Sequence, residues 1–309
     1  MGTRAQSEAQ AGTAPATVAS PSPSARSALE LAGLVVAPTT LVTALAFYFG
    51  WVLTNSRASY FGIDASALGF STQDYLLRSA DALFVPLGTA LVLALGVVWL
   101  QAYAGRQLAD RGRRARLRLV ARVAVAAGGV LFALGAFAVF RPLSFSPHYL
   151  FASASPGIGI ALVGLGLHLL GRVEAAERPR AASLADARTR ATALALIALL
   201  IVLSAFWTAS RYADALGRGR AQRLAATLGA RPQVTVFAPK RLDIEAPGVF
   251  ERRRTGADLA YRYRYSGLRL LIRSGGNYFL LPDGWTRRGG KAIVLADSPA
   301  YRFEFGTGR

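Results

Sequence analysis

The feature that most constrains this chain is a run of arginines set between two apolar stretches. Residues 106–122, RQLADRGRRARLRLVAR, hold seven arginines and one acid, Asp110. A single arginine at the centre of a bilayer costs about 2.5–3.5 kcal/mol even on lenient insertion scales. The run therefore stays on one side of a membrane, and the apolar stretches beside it must start or end on that side.

Five apolar runs follow from this reading, each near the roughly 20 residues that a spanning helix needs. The first, 31–53, carries no charge and closes on Phe47, Tyr48, Phe49 and Trp51, as an interfacial aromatic belt does. The second, 82–103, is also uncharged, with Pro86 in its first turns and Trp99 and Tyr103 at its far end. The third is 123–140. The fourth, 150–171, is diluted by Pro156 and by Gly157, Gly159, Gly164, Gly166 and Gly171, so its start reads as a re-entrant or irregular turn. The fifth, 191–209, is ATALALIALLIVLSAFWTA. A hydrophobic share of 53% and a mean hydropathy of +0.34 over 309 residues fit the membrane class.

Arginines in the short connections set the expected orientation. The N-terminal tail has Arg4 and Arg26, the second connection has the seven above, and the fourth has Arg172, Arg178, Arg180, Arg188 and Arg190. The first and third connections have only Arg57, Arg78 and Arg141. Fourteen against three, alternating without exception, predicts a plasma-membrane protein with a cytoplasmic N-terminus and an extracytoplasmic C-terminus. The alternation also requires the fourth run to cross.

The remaining segments divide by composition. Residues 1–28, rich in Ala, Ser, Thr, Pro and Gly, read as a disordered cytoplasmic tail, and the first apolar run as an uncleaved signal anchor. Residues 29–209 form the five-span bundle. In 210–230, Leu216, Leu224 and Leu228 lie among Arg218, Arg220 and Arg223, the pattern of a juxtamembrane helix stopped by Gly229. Residues 231–309 read as an extracytoplasmic β domain, a small antiparallel sheet or open barrel of five to seven strands. Its strand-like runs are QVTVFA, RLDIEA, DLAYRYRYS, LRLLIRS, NYFLLP, KAIVLA and AYRFEF. Turns are expected at Ser266-Gly267, Ser274-Gly275-Gly276 and Asp283-Gly284. Tyr261, Tyr263 and Tyr265 alternate with Arg262 and Arg264, which gives that strand an aromatic and a cationic face.

Formal net charge is +19, almost all from arginine, since Lys240 and Lys291 are the only lysines. Such a balance suits nucleic acid or an anionic membrane surface. Residues 106–122 lack aromatic residues for base stacking, so no nucleic-acid partner is expected and the run reads as a topology anchor on anionic lipid. From Arg211 to Arg309 nineteen basic residues face eight acidic ones, a net of +11. The C-terminal domain is thus expected to meet anionic lipid or an anionic wall polymer, beside the bilayer itself and a membrane-protein partner. The absence of cysteine excludes disulfides, thiolate nucleophiles and cysteine metal sites.

The first outer connection, 55–81, holds the candidate site: Arg57, Asp64, Asp74, Arg78 and Asp81. In one reading these five form a polar vestibule or cation site. In the other, Asp64 caps a turn ending at Gly69, Ser71 and Asp74 form a capping box, and the arginines are interfacial anchors. Residues 48–79, YFGWVLTNSRASYFGIDASALGFSTQDYLLRS, and 261–285, YRYRYSGLRLLIRSGGNYFLLPDGW, resemble a group of uncharacterised actinobacterial polytopic integral membrane proteins. The resemblance implies a polytopic protein with an extracytoplasmic tail domain and transfers no catalytic residue.

Other chemistry is sparse. His148 and His168 fall on opposite sides in this topology and cannot share a metal. Small-residue spacings at Ala124/Gly128, Gly129/Ala133 and Gly157/Ala161 read as packing within one chain. The sequence contains no P-loop, GxSxG or zinc motif, and no cofactor is expected. The expected function is a non-enzymatic binding, sensing or assembly component. The alternatives are a channel or transporter subunit, for which polar groups should converge at mid-membrane, and an envelope lipid- or glycan-modifying enzyme, for which Asp64, Asp74 and His148 should share one cleft.

Overall fold

The computed structural model describes residues 23–108, 111–140, 150–177, 184–256 and 259–308. It has five helices followed by six strands: α1 (Pro23–Tyr60), α2 (Thr72–Leu108), α3 (Arg111–Phe140), α4 (Phe151–Glu177), α5 (Leu184–Ala226), then β1 (Gln233–Ala238), β2 (Phe250–Arg253), β3 (Tyr263–Ser274), β4 (Asn277–Pro282), β5 (Ile293–Ala296) and β6 (Arg302–Gly306). Short 3-10 helices lie at Ala65–Leu68 and Leu228–Ala230. Two compact units are present, Met1–Ala44 and Leu45–Arg309. In the first, α1 is already helical at Pro23, ahead of the expected tail boundary at 28, while residues 1–22 lie outside the described set. Thr43 there donates its hydroxyl to the Thr39 carbonyl at 2.8 Å.

Among the described residues, four helical segments are long and apolar enough to cross a membrane: Thr72–Arg106, Gly112–Ala138, Ala152–Glu177 and Arg188–Ala226. Much of their surface is apolar and exposed, as in Leu91, Val92, Leu95 and Trp99 of α2, which suits contact with acyl chains. The described arginines of the run are helical, Arg106 at the end of α2 and the other six in α3. From Arg111 it forms the first turns of α3, because arginine is a good helix former and its long stem keeps the charge at the surface. Arg118 of that run reaches Glu177 at the end of α4, at 2.5 Å.

The fourth apolar run is a continuous helix, which overturns the re-entrant expectation. Four of its five glycines, Gly157, Gly159, Gly164 and Gly166, form helix contacts instead of breaking the helix. A Cβ on Gly159 would fall 2.6 Å from the Gly128 carbonyl oxygen of α3, and one on Gly157 2.4 Å from Ser204 Oγ of α5. Pro156 has no N–H to give its own helix. Nearby, Ser204 donates to the Ser153 carbonyl across the α4–α5 contact, at 2.8 Å. These small-residue positions pack within the chain, whereas Gly129 meets nothing within 4 Å.

At the other end of the molecule, α5 continues past its apolar stretch to Ala226. Gly229 then sits inside the Leu228–Ala230 turn rather than ending the helix. The strands form one open antiparallel sheet, ordered β5-β4-β3-β1-β6, with β2 also on β3. Residues 241–246 are not a strand. Asp243 takes a positive φ of 48° there, and Leu242 and Ile244 pack onto the sheet from the connection. The expected turn at Ser266-Gly267 is instead the middle of the twelve-residue β3. Gly267 is needed there because its φ is +83° and a Cβ would lie 1.8 Å from the Gly248 oxygen. The expected turns at Gly275-Gly276 and at Asp283-Gly284 are present.

The sheet buries both faces. One holds Val234, Val236, Tyr265, Leu268, Tyr278 and Leu280. On the other, Leu271, Phe279 and Leu281 share a core with Phe61, Ile63 and Leu68 of the connection between α1 and α2, with Ala221 and Leu224 of α5, and with Leu228 of the 3-10 helix that follows it. Three distant parts of the sequence thus close one core. Arg269, 8% exposed, clamps it: its guanidinium donates to Asp283 and to the Gly229 and Arg231 carbonyls, the latter two at 3.0 Å.

Candidate functional site

The five polar residues expected to group in the first connection separate by sign. Asp64 Oδ1 accepts from the Ser66 N–H at 2.8 Å and from Ser66 Oγ at 2.6 Å, capping the 3-10 helix that Gly69 ends in a left-handed conformation. Asp74 Oδ2 accepts from the Ser71 N–H and Oγ at 2.9 and 2.8 Å, while its own N–H turns to Ser71 Oγ at 3.3 Å. These serine hydrogen bonds, side-chain first and backbone second, hold both carboxyls below their usual range. Asp81 accepts from Arg220 of α5 at 2.7 Å, and that bond lowers its pKa too. Each of the three acids is thus engaged by its own donor, two within their own turns and one from α5.

The two arginines do come together. Arg57, at the end of α1, and Arg78, on the first turns of α2, line one cleft with Thr54, Ala58, Phe61, Leu68 and Phe70. Arg78 lies over the Phe70 ring at 4.0 Å. Arg57 is half-buried and has no hydrogen bond or ion pair among the described residues. Burial pulls its guanidinium pKa down, and the charges of Arg231, Arg78 and Arg220 pull the same way. It stays cationic, since arginine keeps its proton in proteins. Thr54, 3% exposed, has a buried hydroxyl with no hydrogen-bond partner.

A second cationic feature crosses the sheet. Strand register places Arg252 opposite Arg264, Arg264 opposite Phe237, and Phe237 opposite Arg302, so these four residues share one face in a row. Phe237 is only 8% exposed because Arg254, Arg264 and Arg302 lie over its ring at 5.6, 5.9 and 5.6 Å. Arg302 is paired with Glu304 at 2.7 Å, but Arg252, Arg254 and Arg264 have no carboxylate among the described residues. Phe237 points away from the core of Val234, Val236 and Tyr265. It therefore lies on the sheet face that packs against α5 and the first connection.

No known family, curated protein or solved structure matches this chain. The chemistry must accordingly be read from its own residues. His168 is exposed on α4, and His148 lies outside the described residues, so the third acid–base candidate has no described position. No cluster of three metal-ligating side chains occurs among the described residues. A groove between α3, α4 and α5 is lined by Phe132, Pro156, Ile160, Leu203 and Trp207 with Ser204, whose hydroxyl is already used on Ser153. It has the character of an acyl-chain contact rather than a polar pathway. Sequence reasoning found the cationic side at Arg264 of β3, and at Arg262 just before it, through alternation. It missed Thr54, Arg231, Phe237, Arg252, Arg254 and Arg302, because only strand register and a shared core bring them together.

Proposed function

We propose that this chain is a five-span plasma-membrane protein, N-terminus inside and C-terminus outside, that acts without catalysis as a binding or assembly component. Its basic β sheet is held against the outer face of the membrane. The observation that carries this reading is the Arg252–Arg264–Phe237–Arg302 row on the face that also packs against the helices. Like charges directly opposite across strands are destabilising. A row of them, laid over one aromatic ring on the side facing the helices, is suited to an anionic surface. Each arginine near such a surface gains about 1 kcal/mol, falling off over a Debye length of roughly 8 Å. Anionic headgroups of the same membrane lie nearest, and an anionic wall polymer has the same chemistry.

The chain lacks cysteine, so Phe250→Cys, at an exposed strand position, gives a single attachment point for an environment-sensitive dye. In full-length protein reconstituted into vesicles with anionic lipid, the dye should report an apolar environment at low salt and lose it at high salt. Combining Arg252→Gln with Arg264→Gln should abolish the difference. A photo-crosslinker at the same position should capture lipid, polymer or a protein partner in native membranes. Identical spectra in anionic and neutral vesicles, with no crosslinked species, would refute the reading.

A further inference from the structure

The cleft between α1 and α2 has a different chemistry from the sheet row and stands independently of it. It is lined by Thr54, whose buried hydroxyl has no partner among the described residues, by Arg57 and Arg78, and by the apolar Phe61, Ile63, Leu68 and Leu271. The nearby acids are spent: Asp64 on Ser66, Asp74 on Ser71, Asp81 on Arg220, and Asp283 on Arg269. Arg220 and Arg231 add positive potential without entering the cleft. Two arginines and a hydroxyl donor therefore line one cleft, and no described carboxylate forms an ion pair with either guanidinium, the charge of Asp74 acting on Arg78 only at longer range. A half-buried cation in an apolar cleft is costly unless a counter-charge completes it.

We propose that this cleft binds one oxyanion of the phosphate class, held by Arg57 and Arg78 and accepting a hydrogen bond from Thr54 Oγ1. Guanidinium forks match phosphoryl oxygens in charge and geometry, and each such bond is worth roughly twice a neutral one. The space is small, about 30 Å³, so it admits the oxygens of a phosphoryl group while the rest of the ligand stays outside. Arg57 lies one helical turn beyond the apolar run that ends at 53, the depth at which phospholipid headgroups sit. The same chemistry would accept a soluble phosphate, and the two sources separate by experiment.

Full-length protein in a sugar-based, phosphate-free detergent is titrated with radiolabelled inorganic phosphate and, separately, with short-chain phosphatidylglycerol. The wild type should bind at least one probe. Arg57→Gln and Arg78→Gln should each weaken binding about tenfold or more, as expected for losing a charge-assisted bond. Lys291→Gln, which removes an exposed charge outside the cleft, should leave it unchanged. Thr54→Val gives a sign test that a structural role cannot imitate: it should weaken binding a few-fold while leaving the unliganded melting temperature equal or higher, because it removes a buried hydroxyl that lacks a partner. Saturable binding of phosphatidylglycerol alone assigns the site to a headgroup, and binding of both probes assigns it to soluble phosphate. Binding of neither probe by folded wild type overturns the proposal. Equal binding by wild type and by arginine variants with wild-type helical spectra overturns it as well. Neither result depends on Arg252 or Arg264, so it leaves the sheet-row reading to its own test.

Discussion

Replacing Arg269 by methionine should detach the β sheet from the helices. The guanidinium of Arg269 joins β3 to three acceptors: the Asp283 carboxylate after β4 and the Gly229 and Arg231 carbonyls in the link from α5 to β1. Methionine keeps an unbranched apolar stem but leaves two carbonyls and a carboxylate without their donor. Removing one partner of a buried pair costs about 3–5 kcal/mol. The Asp283 side chain is 35% exposed and can regain water, so the lower figure, about 3 kcal/mol, applies. The assay uses the absence of native cysteine. Ala221→Cys, a small substitution at a position 0% exposed in the core shared by α5 and the sheet, becomes reactive to maleimide only when that core opens. Where opening is a fast pre-equilibrium, labelling follows its equilibrium constant, so about 3 kcal/mol is a rise on the order of a hundredfold. Asp283→Asn should give a smaller rise, and the double variant less than the product of the two. Labelling of Arg269→Met within threefold of the Ala221→Cys parent, roughly the scatter of such comparisons, would refute the clamp.

Gly159→Ala should lower the melting temperature in detergent, since its methyl would meet the Gly128 oxygen at 2.6 Å and the overpacking cost is about 1–3 kcal/mol. Gly129→Ala, which meets nothing, should be neutral or slightly stabilising, and equal melts would remove the glycine contact from the account of the α3–α4 interface. Asp64 and Asp74 have folded pKa values below the ordinary 3.8, so their caps contribute fully above about pH 4 and are lost as pH falls through the folded values. Thermal melts followed by tryptophan fluorescence should therefore fall more steeply at acid pH in wild type than in Asp64→Ala/Asp74→Ala, and parallel curves would contradict this. Reporter fusions after Leu117 and after Arg231 should be active only as cytoplasmic and extracytoplasmic reporters respectively; the same behaviour at both sites would sink the five-span topology. Isolated 231–309 exposes Leu271, Phe279 and Leu281, so it should bind hydrophobic dyes strongly, and a dye-silent, cooperatively melting fragment would show that the shared core is dispensable.

The sequence by itself determined the features that depend on transfer between water and hydrocarbon, or on spacing along one element. Apolar runs of spanning length, arginine alternation, the Asp64 and Ser71–Asp74 caps and the Gly275-Gly276 turn are local, and each is legible from neighbours a few residues apart. The sheet itself was legible through its alternating Tyr and Arg residues. Tertiary structure alone decided which of the polar residues at 55–81 would meet. Charge counting put Arg57, Asp64, Asp74, Arg78 and Asp81 in one group, but each carboxylate found a nearer donor, two in their own turns and one on α5, which left the arginines to line one cleft with Thr54. The glycines of α4 look like helix breakers in one dimension. Gly157, Gly159, Gly164 and Gly166 become contact points only when α3 and α5 lie against them, where close packing recovers the cost of backbone freedom. Gly267 reads as a turn residue and is a kink in a long strand, because its positive φ is set by the Gly248 backbone crossing it. The arginine row needs the register of four strands, and register is a long-range choice made when Val234, Val236 and Tyr265 are buried on the opposite face.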